Sequence, residues 1–181
     1  MRIISGEFKG RRISAPKQLP VRPTTDMAKE SLFNILNNHY YFDEISVLDL
    51  FAGTGNISYE FASRGSQFIT AVDAHYNCIK FINTTAEDFE MPITTIKSDV
   101  FSFLEQHSMS YDIIFGDPPY DFDKDQFLQI AELVFKNNLV SNDGQLIIEH
   151  SKHTDLSSHS NFRDSRHYGG SVFSFFENDK S

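Results

Sequence analysis

Between residues 45 and 150, short apolar runs alternate with amphipathic segments, and this alternation restricts the possible folds more than any other feature of the sequence. The apolar runs predict strands at ISVLDLF, QFITAVD, PITTIKSD, YDIIFG and GQLIIEH. The intervening segments predict helices that run through about Arg64, over residues 75–87, from Val100 to about Glu105, and from about Lys124 to Phe135. Strands that alternate with helices are joined by right-handed crossovers, so the pattern predicts an α/β fold with a doubly wound, mostly parallel sheet.

The two ends of the chain depart from this pattern. MRIIS and GRRISA flank a turn that contains Gly6 and Gly10, which predicts an N-terminal β-hairpin extension. Thr24 or Thr25 is placed to cap a first helix. The apolar face of that helix would comprise Ala28, Leu32, Ile35 and Leu36. Near the other end, FRDSRHYGG and SVFSFFEN predict an antiparallel C-terminal edge hairpin.

The length and composition indicate one soluble domain. At 181 residues we expect a single unit, in which residues 1–25 form a basic hairpin and arm and residues 26–181 form the core. The single cysteine, Cys78, cannot form an internal disulfide. No apolar run approaches the roughly 18 residues of a membrane helix, and the N-terminus lacks the apolar stretch of a signal peptide. We therefore expect a cytoplasmic protein without a membrane partner.

Charge is distributed unevenly along the chain. The formal net charge is −9, yet residues 1–25 contain six basic residues against one acidic residue, which leaves a strongly acidic remainder. The basic residues are Arg2, Lys9, Arg11, Arg12, Lys17 and Arg22. Because screening limits the reach of distant charge to about 8–10 Å, such an arm can hold phosphate despite the acidic body. A solvated basic tail is the alternative interpretation.

The stretch LDLFAGTGN predicts a ligand-binding turn. Gly53 and Gly55 lie between a strand and a helix, where glycines allow the backbone to turn tightly and to approach a ligand. Asp73 ends the second strand, 20 residues after Gly53, where a carboxylate can accept hydrogen bonds from ribose hydroxyls. A dinucleotide fingerprint would need glycine where Ser58 stands, so the pattern favours a nucleoside over a pyrophosphate. Gly53 could also serve the turn alone.

Asp99 comes just after the third strand and has two interpretations. Its carboxylate could accept a hydrogen bond from the exocyclic amine of an adenine while the backbone of Val100 donates one, or it could simply be a helix N-cap. The full set of residues that we expect around the nucleoside comprises Asp49, Phe51, Ala52, Gly53, Thr54, Gly55, Asp73, Ala74, Asp99 and Val100.

The stretch Asp117-Pro118-Pro119-Tyr120, directly after the fourth strand, predicts activation of an amine. The lone pair of a nucleobase amine is delocalised into the ring, and two acceptors that hold the N–H bonds can turn it towards an electrophile. The Asp117 carboxylate and the Pro118 carbonyl could be these acceptors, because proline fixes the direction of the backbone. Tyr120 could stack on the base. A proline-rich turn with an aspartate cap would leave the order of these residues unexplained.

These motifs together resemble one known family. DLFAGTGN, Asp73, Asp99 and DPPY resemble the motifs of Rossmann-like, class I S-adenosylmethionine-dependent N-methyltransferases. RIISGEFKGRRI, RPTTDMAKESLFNIL and IIEHS resemble the RsmD family, which methylates the N2 amine of a guanine in small-subunit ribosomal RNA. The resemblance runs from Met1 to about Phe176. Asp73 stands where members of the family commonly have Glu, a conservative change for hydroxyl binding.

The resemblance implies S-adenosyl-L-methionine as cofactor and ribosomal RNA, free or within a small-subunit particle, as partner. The target guanine would have to leave its stack to enter the site. The basic front of the chain would then bind RNA through Arg2, Lys9, Arg11, Arg12, Arg22, Thr24 and Lys29. The stretch from Arg22 to Thr24 could instead close over the methionine end of the donor.

Other chemistries are disfavoured, and two alternatives stay open. EHSKH, at residues 149–153, is the nearest pattern to a metal motif but lies at a strand end, so we expect no metal. Glu149 and His150 could line the pocket or cap the fifth strand. Methylation at carbon-5 of a pyrimidine needs a cysteine nucleophile, and Cys78 falls inside a helix. An adenine-N6 or cytosine-N4 methyltransferase, and a catalytically idle RNA-binding module, are the alternatives.

Overall fold

The structure is a computed structural model that describes residues 1–180 and contains a seven-stranded sheet in the order β3-β2-β1-β4-β5-β7-β6. The strands are β1 Ser46–Leu50, β2 Phe68–Asp73, β3 Ile93–Lys97, β4 Tyr111–Gly116, β5 Val140–Ser151, β6 Phe162–Tyr168 and β7 Ser171–Phe176. The helices are α1 Asp26–Asn37, α2 Asn56–Ser63, α3 Tyr76–Asp88, α4 Val100–Gln106 and α5 Lys124–Lys136, with a short 3-10 turn at Phe42–Glu44.

The sheet has the predicted doubly wound topology. Strands β1 to β5 pair in parallel, and β7 pairs antiparallel with both β5 and β6. Strand order runs outward from β1 to β3 on one side and from β4 on the other, so the switch point lies between β1 and β4. Ligands of such sheets bind at the carboxyl ends of the strands at this point. The mostly parallel sheet and the C-terminal edge hairpin are therefore confirmed.

The N-terminal hairpin is present in a reduced form. Arg2 and Arg12 form one antiparallel bridge, and backbone hydrogen bonds from Ile3 to Arg11 and from Ile13 to Met1 extend it. The segment forms no strand of the main sheet. Two backbone N–H groups, those of Ile4 and Ser5, instead donate to the carboxylate of Glu60 on α2. The arm is therefore fastened to the core by a buried acid.

Helix α1 begins where the capping pattern predicts. The Thr25 side chain accepts a hydrogen bond from the Ala28 N–H at 3.2 Å. The buried face of the helix comprises Ala28, Lys29, Leu32, Phe33 and Leu36. Ile35 is only partly buried. No helix in residues 1–180 has both the length and the apolar character needed to cross a membrane.

Two apolar clusters cover the two faces of the sheet. One packs α1, α2 and α3 with the N-terminal arm, and its members include Ile3, Phe33 and Phe61. The other packs α4 and α5, and its members include Leu104 and Ile130. Burial of both faces explains the near-continuous apolar runs of β1 and β4, since a parallel sheet is covered by helices on each side. The polar residues just beyond these strands are thereby left at the sheet edge.

Candidate active site

A cavity of about 740 Å³ lies at the carboxyl ends of β1, β2 and β4, at the switch point. It is lined by nine of the ten residues predicted for the nucleoside, all except Gly55, and by all four residues of the Asp117–Tyr120 motif. The chain segment at residues 19–24 forms a further wall of this cavity. A smaller cleft of about 470 Å³ lies away from these residues, beside Tyr40 and Asp143.

The glycine turn has the backbone geometry that the sequence predicts. Gly53 and Gly55 have φ values of +56° and +85°, in the region that favours glycine. A Cβ on Gly55 would lie 2.6 Å from Cζ of Tyr59, so no larger residue fits there. Gly55 is the N-cap of α2 rather than a wall of the cavity. Its role is therefore to start the helix against Tyr59.

Asp73 is tied to the glycine turn. One carboxylate oxygen accepts from the Gly53 N–H at 2.9 Å, and the other accepts from the His75 N–H at 2.8 Å. Each oxygen retains a further acceptor site. The turn thus holds the carboxylate at the cavity wall, where ribose hydroxyls of a nucleoside can be bound.

The N-cap interpretation of Asp99 is confirmed, whereas its contact with an adenine stays a prediction. Its side chain caps α4 by accepting from the Ser102 N–H at 3.0 Å, and the residue also lines the cavity. Val100 lines the cavity beside it. The N-cap geometry therefore holds this acid at the cavity wall.

Asp49 is a buried carboxylate in the cavity wall. Ser58, which stands where a dinucleotide fingerprint has glycine, donates to it at 2.6 Å. Burial raises the pKa of Asp49 to about 7, although the hydrogen bonds from Ser58 act in the opposite direction. The sequence contains this pair nine positions apart, but only the fold brings the end of β1 against α2.

We expect Asp49→Asn to change how stability depends on pH. The folded-state pKa of Asp49 lies above the ordinary value of 3.8. Between these two values folded Asp49 holds a proton that the unfolded chain has lost, so the contribution of Asp49 to the unfolding free energy falls as pH rises towards about 7. The unfolding free energy of the wild type should therefore decline relative to the variant between pH 4 and 7, by up to about 1.4 kcal/mol per pH unit. Urea unfolding at several pH values measures this, with Asp88→Asn, an exposed site on α3, as control.

Asp117 comes directly after β4 and lies beside a second carboxylate. Burial, and next the carboxylates of Glu149 and Asp49, raise the pKa of Asp117 well above its ordinary value. Pro118 is buried, whereas Tyr120 is 72% exposed at the cavity mouth. The guanidinium of Arg22 lies 5.4 Å from the centre of the Tyr120 ring. The motif thus presents an acid inside the cavity and an aromatic ring at its entrance.

Two residues assigned to RNA from the sequence lie inside the protein. Lys29 is 1% exposed, and its Nζ donates to the Arg2 carbonyl at 2.6 Å and to Asn56 Oδ1 at 2.8 Å, so the prediction of an RNA contact is wrong. A lysine whose donors are used inside the core cannot reach a phosphate. Thr24 is also buried, and its hydroxyl donates to Glu149 at 2.6 Å. Its place is the cavity wall.

The remaining predicted basic residues are exposed or partly exposed: Arg2, Lys9, Arg11, Arg12 and Arg22. Arg2 makes an exposed ion pair with Asp26 at 3.4 Å. Arg22 lines the cavity and contacts Tyr120, which places it between the arm and the Asp117–Tyr120 motif. The predicted RNA surface is therefore reduced to these five side chains.

Cys78 lies inside a helix, as the sequence predicts. Cys78 is buried on α3, and burial raises the pKa of its thiol to about 11, so it carries no thiolate at neutral pH. Within residues 1–180 no group of three His, Cys, Asp or Glu side chains is arranged to hold a metal ion.

Comparison with known proteins gives the family. The sequence model of the family described as Conserved hypothetical protein 95 matches residues 1–177. The chain belongs to this family. Ribosomal RNA small subunit methyltransferase D of Buchnera aphidicola subsp. Baizongia pistaciae is 31% identical over 150 residues, which cover 82% of this chain and 75% of that protein. The resemblance to the RsmD family is thereby confirmed.

The fold is likewise shared with solved structures. Hypothetical protein TTHA0928 of Thermus thermophilus superimposes with a TM-score of 0.84 at 22% identity, over 98% of this chain and 99% of that one. Magnesium protoporphyrin IX methyltransferase of Synechocystis PCC 6803, solved with bound S-adenosylmethionine, superimposes with a TM-score of 0.66 at 14% identity, over 83% and 78% of the two chains. The Rossmann-like class I methyltransferase fold is confirmed.

Proposed function

We propose that this chain transfers a methyl group from S-adenosyl-L-methionine to the N2 amine of a guanine in small-subunit ribosomal RNA. The observation that carries the proposal is the position of the Asp117–Tyr120 motif, which shares one cavity with the glycine turn and Asp73. Transfer of a methyl group to an amine needs a motif that holds the acceptor amine and a site that holds the nucleoside of the donor. The name of the Buchnera relative supplies the expected RNA.

The cavity fits the donor in the groups that it presents. Gly53 forms part of the wall with so little space that an added Cβ would lie 3.2 Å from Cγ1 of Val21. Asp73, held by the turn, offers a carboxylate to ribose, and Asp99 and Val100 offer an acceptor and a backbone donor to an adenine. When bound, S-adenosylmethionine supplies a methyl group already activated by its sulfonium. We infer that residues 49–55, 73–74 and 99–100 hold it.

In our proposal the chemistry of the acceptor depends on Asp117 and Pro118. The Asp117 carboxylate accepts one N–H of the guanine amine and the Pro118 carbonyl accepts the other, so the nitrogen lone pair is directed away from the ring plane. The stiffness of the two prolines fixes this geometry before the base arrives. Tyr120 provides an exposed ring for stacking. The amine becomes acidic as the new bond forms, so its proton can leave afterwards without an obligatory base.

We propose residues 26–181 as the catalytic core and residues 1–25 as the RNA-binding hairpin and arm. Arg2, Lys9, Arg11, Arg12 and Arg22 present their charges on that arm and can neutralise phosphates. So few contacts give modest affinity for naked RNA, which favours an assembled small-subunit particle as the substrate. We expect the protein to act in the cytoplasm on that particle.

The substrate class is tested by transfer of labelled methyl from S-adenosylmethionine to four acceptors in parallel. These are undermodified small ribosomal subunits, the RNA extracted from them, large-subunit RNA and duplex DNA. We expect label in the small subunits well above the other three. Label in duplex DNA or in large-subunit RNA alone would contradict the proposed substrate.

We expect the paired change Arg11→Ala and Arg12→Ala to weaken RNA recognition without affecting the donor. The loss of two phosphate contacts should lower kcat/KM for small subunits roughly 10-fold and flatten the log–log dependence on salt by about two units. The charge-matched control is the pair Lys80→Ala and Lys136→Ala, on α3 and α5. Equal losses in both double variants would show that the arm acts only through net charge.

A further inference from the structure

A second, smaller pocket adjoins the donor cavity and contains a buried acid that the proposed mechanism does not use. Its volume is about 40 Å³, and Asp117, Pro118 and Tyr120 belong to both spaces. We call it the acceptor pocket. Its lining also includes Glu149, His150 and Ser171. In our proposal, a base whose amine is held by Asp117 and Pro118 contacts the residues that the two spaces share, next to this pocket.

Glu149 is placed beside Asp117 by the register of the sheet. Gly116, the last residue of β4, pairs with Ile148 of β5, so the residues that follow these two, Asp117 and Glu149, lie at the same edge. Glu149 is 7% exposed. One of its oxygens accepts from the Thr24 hydroxyl at 2.6 Å. Two carboxylates therefore lie side by side in the wall of one small pocket.

An acid is a costly choice for a purely structural role at this position. A glutamine would accept the Thr24 hydrogen bond equally well and would add no charge next to Asp117. Like charges in a buried site oppose each other's ionisation, and burial, together with the proximity of Asp117, makes Glu149 expensive to keep as an anion. His150, the adjacent residue, is satisfied differently, by the Ser151 carbonyl at 2.8 Å and the Ser174 hydroxyl at 2.7 Å. The unexplained group is Glu149.

Two adjacent carboxylates can distinguish guanine from adenine and cytosine, because the hydrogen-bonding edges of these bases differ in their donors and acceptors. Guanine presents the N1–H and both N2–H bonds side by side, and all of them are donors. Adenine and cytosine also carry an amine, but the ring nitrogen beside it is an acceptor. An ionised carboxylate accepts hydrogen bonds and cannot donate them. It therefore attracts the N1–H of guanine and repels the ring nitrogen that stands beside the amine in adenine and cytosine.

We propose that Glu149 accepts the N1–H of the target base while Asp117 holds its N2 amine, and that this pair selects guanine over adenine and cytosine. The inference rests on the proposed function, since it names the residue that sets the base specificity of the same site. Thr24 acts as a positioning residue, because its hydroxyl holds one oxygen of Glu149 and leaves other acceptor positions of the carboxylate for the base.

The ionisation of the pair agrees with this role. In the free protein, burial raises the pKa of Glu149 and that of Asp117, while the hydroxyls of Thr24 and Ser171 and the Arg22 cation act in the opposite direction on the pKa of Glu149. Asp49 is the other acid that faces Asp117. Two N–H donors of a bound guanine, the N1–H to Glu149 and one N2–H to Asp117, favour the ionised form of the two carboxylates. Burial disfavours the ionised forms of Asp117 and Glu149, and the N–H donors of a bound guanine therefore act against this effect of burial.

The test uses a base that separates the amine from its neighbour. 2-Aminopurine carries the same 2-amine as guanine, but its N1 is an acceptor. Small subunits are reconstituted with RNA that has either guanine or 2-aminopurine at the methylated position, and kcat/KM is measured for each. Because 2-aminopurine also lacks O6, the diagnostic quantity is the change in preference between the wild type and Glu149→Gln.

We expect the wild type to prefer guanine by roughly 10-fold to 100-fold, the range that one or two directed hydrogen bonds provide. Glu149→Gln should lose activity on guanine and gain on 2-aminopurine, because the new amide N–H can donate to N1. The preference should fall by at least about 10-fold, with donor affinity unchanged. Glu87→Gln, an exposed site on α3, should keep the wild-type preference.

Three results would overturn the inference. The first is a wild type that methylates guanine and 2-aminopurine equally, which needs no variant and leaves the proposed function intact. The second is Glu149→Gln with equal losses on both bases, which would assign Glu149 to the stability of the pocket. The third is a wild type that transfers no methyl to guanine, which would remove the proposed function and this inference together.

Discussion

Asp117→Ala should lower methyl transfer by at least about 100-fold while leaving the affinity for S-adenosylmethionine almost unchanged. The carboxylate is placed against the acceptor amine, and removal of one preorganised hydrogen-bonding group from a reacting centre typically costs roughly 100-fold to 1,000-fold in kcat. Asp117 does not contact the glycine turn or Asp73 through any hydrogen bond described within residues 1–180. Single-turnover transfer and calorimetric binding of the donor measure the two effects separately.

Asp73→Ala is the matched control for this prediction. It removes an equally sized acid from the same cavity, but from the wall that we assign to the donor, and it also frees the Gly53 N–H. We expect donor affinity to fall at least about 10-fold, the cost of a lost charged hydrogen bond. If Asp117→Ala and Asp73→Ala reduced donor affinity equally, the division of the cavity into a donor half and an acceptor half would be wrong.

Lys29→Ala should destabilise the protein by about 3–5 kcal/mol, the typical cost of breaking a buried ion pair. The ammonium lies 3.4 Å from the fully buried carboxylate of Glu60, and it also donates to Arg2 O and Asn56 Oδ1. The variant leaves two acceptors without this donor and opens a cavity beside α1. Burial lowers the pKa of Lys29, against the raising effect of Glu60. Urea unfolding gives the free energy.

Lys80→Ala, on the exposed face of α3, is the control for Lys29→Ala and should change stability by less than about 0.5 kcal/mol. Glu60 keeps three other partners, the N–H groups of Ile4 and Ser5 and the Arg64 guanidinium. A loss as small as that of the control would mean that these three satisfy the carboxylate without the lysine.

The parts of the molecule that obey local rules could be predicted from the sequence. The strands, the glycine turn and the position of Asp117 depend on apolar periodicity and on the residue types just beyond each strand, and both are evident from adjacent residues. Helix α1 is capped by Thr25, as one of the two predicted alternatives. The cavity is then a consequence of the topology, because the carboxyl ends of parallel strands meet at one edge.

The parts that depend on distant partners are not predictable in the same way. The charge of Lys29 suggests a surface contact, but its partner Glu60 is 31 positions away on α2. A signal is present: Lys29 stands three, four and seven positions before Leu32, Phe33 and Leu36, on the buried face of α1. The basic segment around Thr24 suggests an RNA contact, but its partner Glu149 is 125 positions away.

The central claim is tested most directly by the identity of the methylated nucleoside. Small subunits methylated with labelled S-adenosylmethionine are digested to nucleosides, and the labelled product is compared with standards. Our account predicts that the label is in N2-methylguanosine and that it disappears with Asp117→Ala. Label in N6-methyladenosine or N4-methylcytidine would keep the role of Asp117 in holding an amine, but it would contradict the proposed base and the selection of guanine by Glu149.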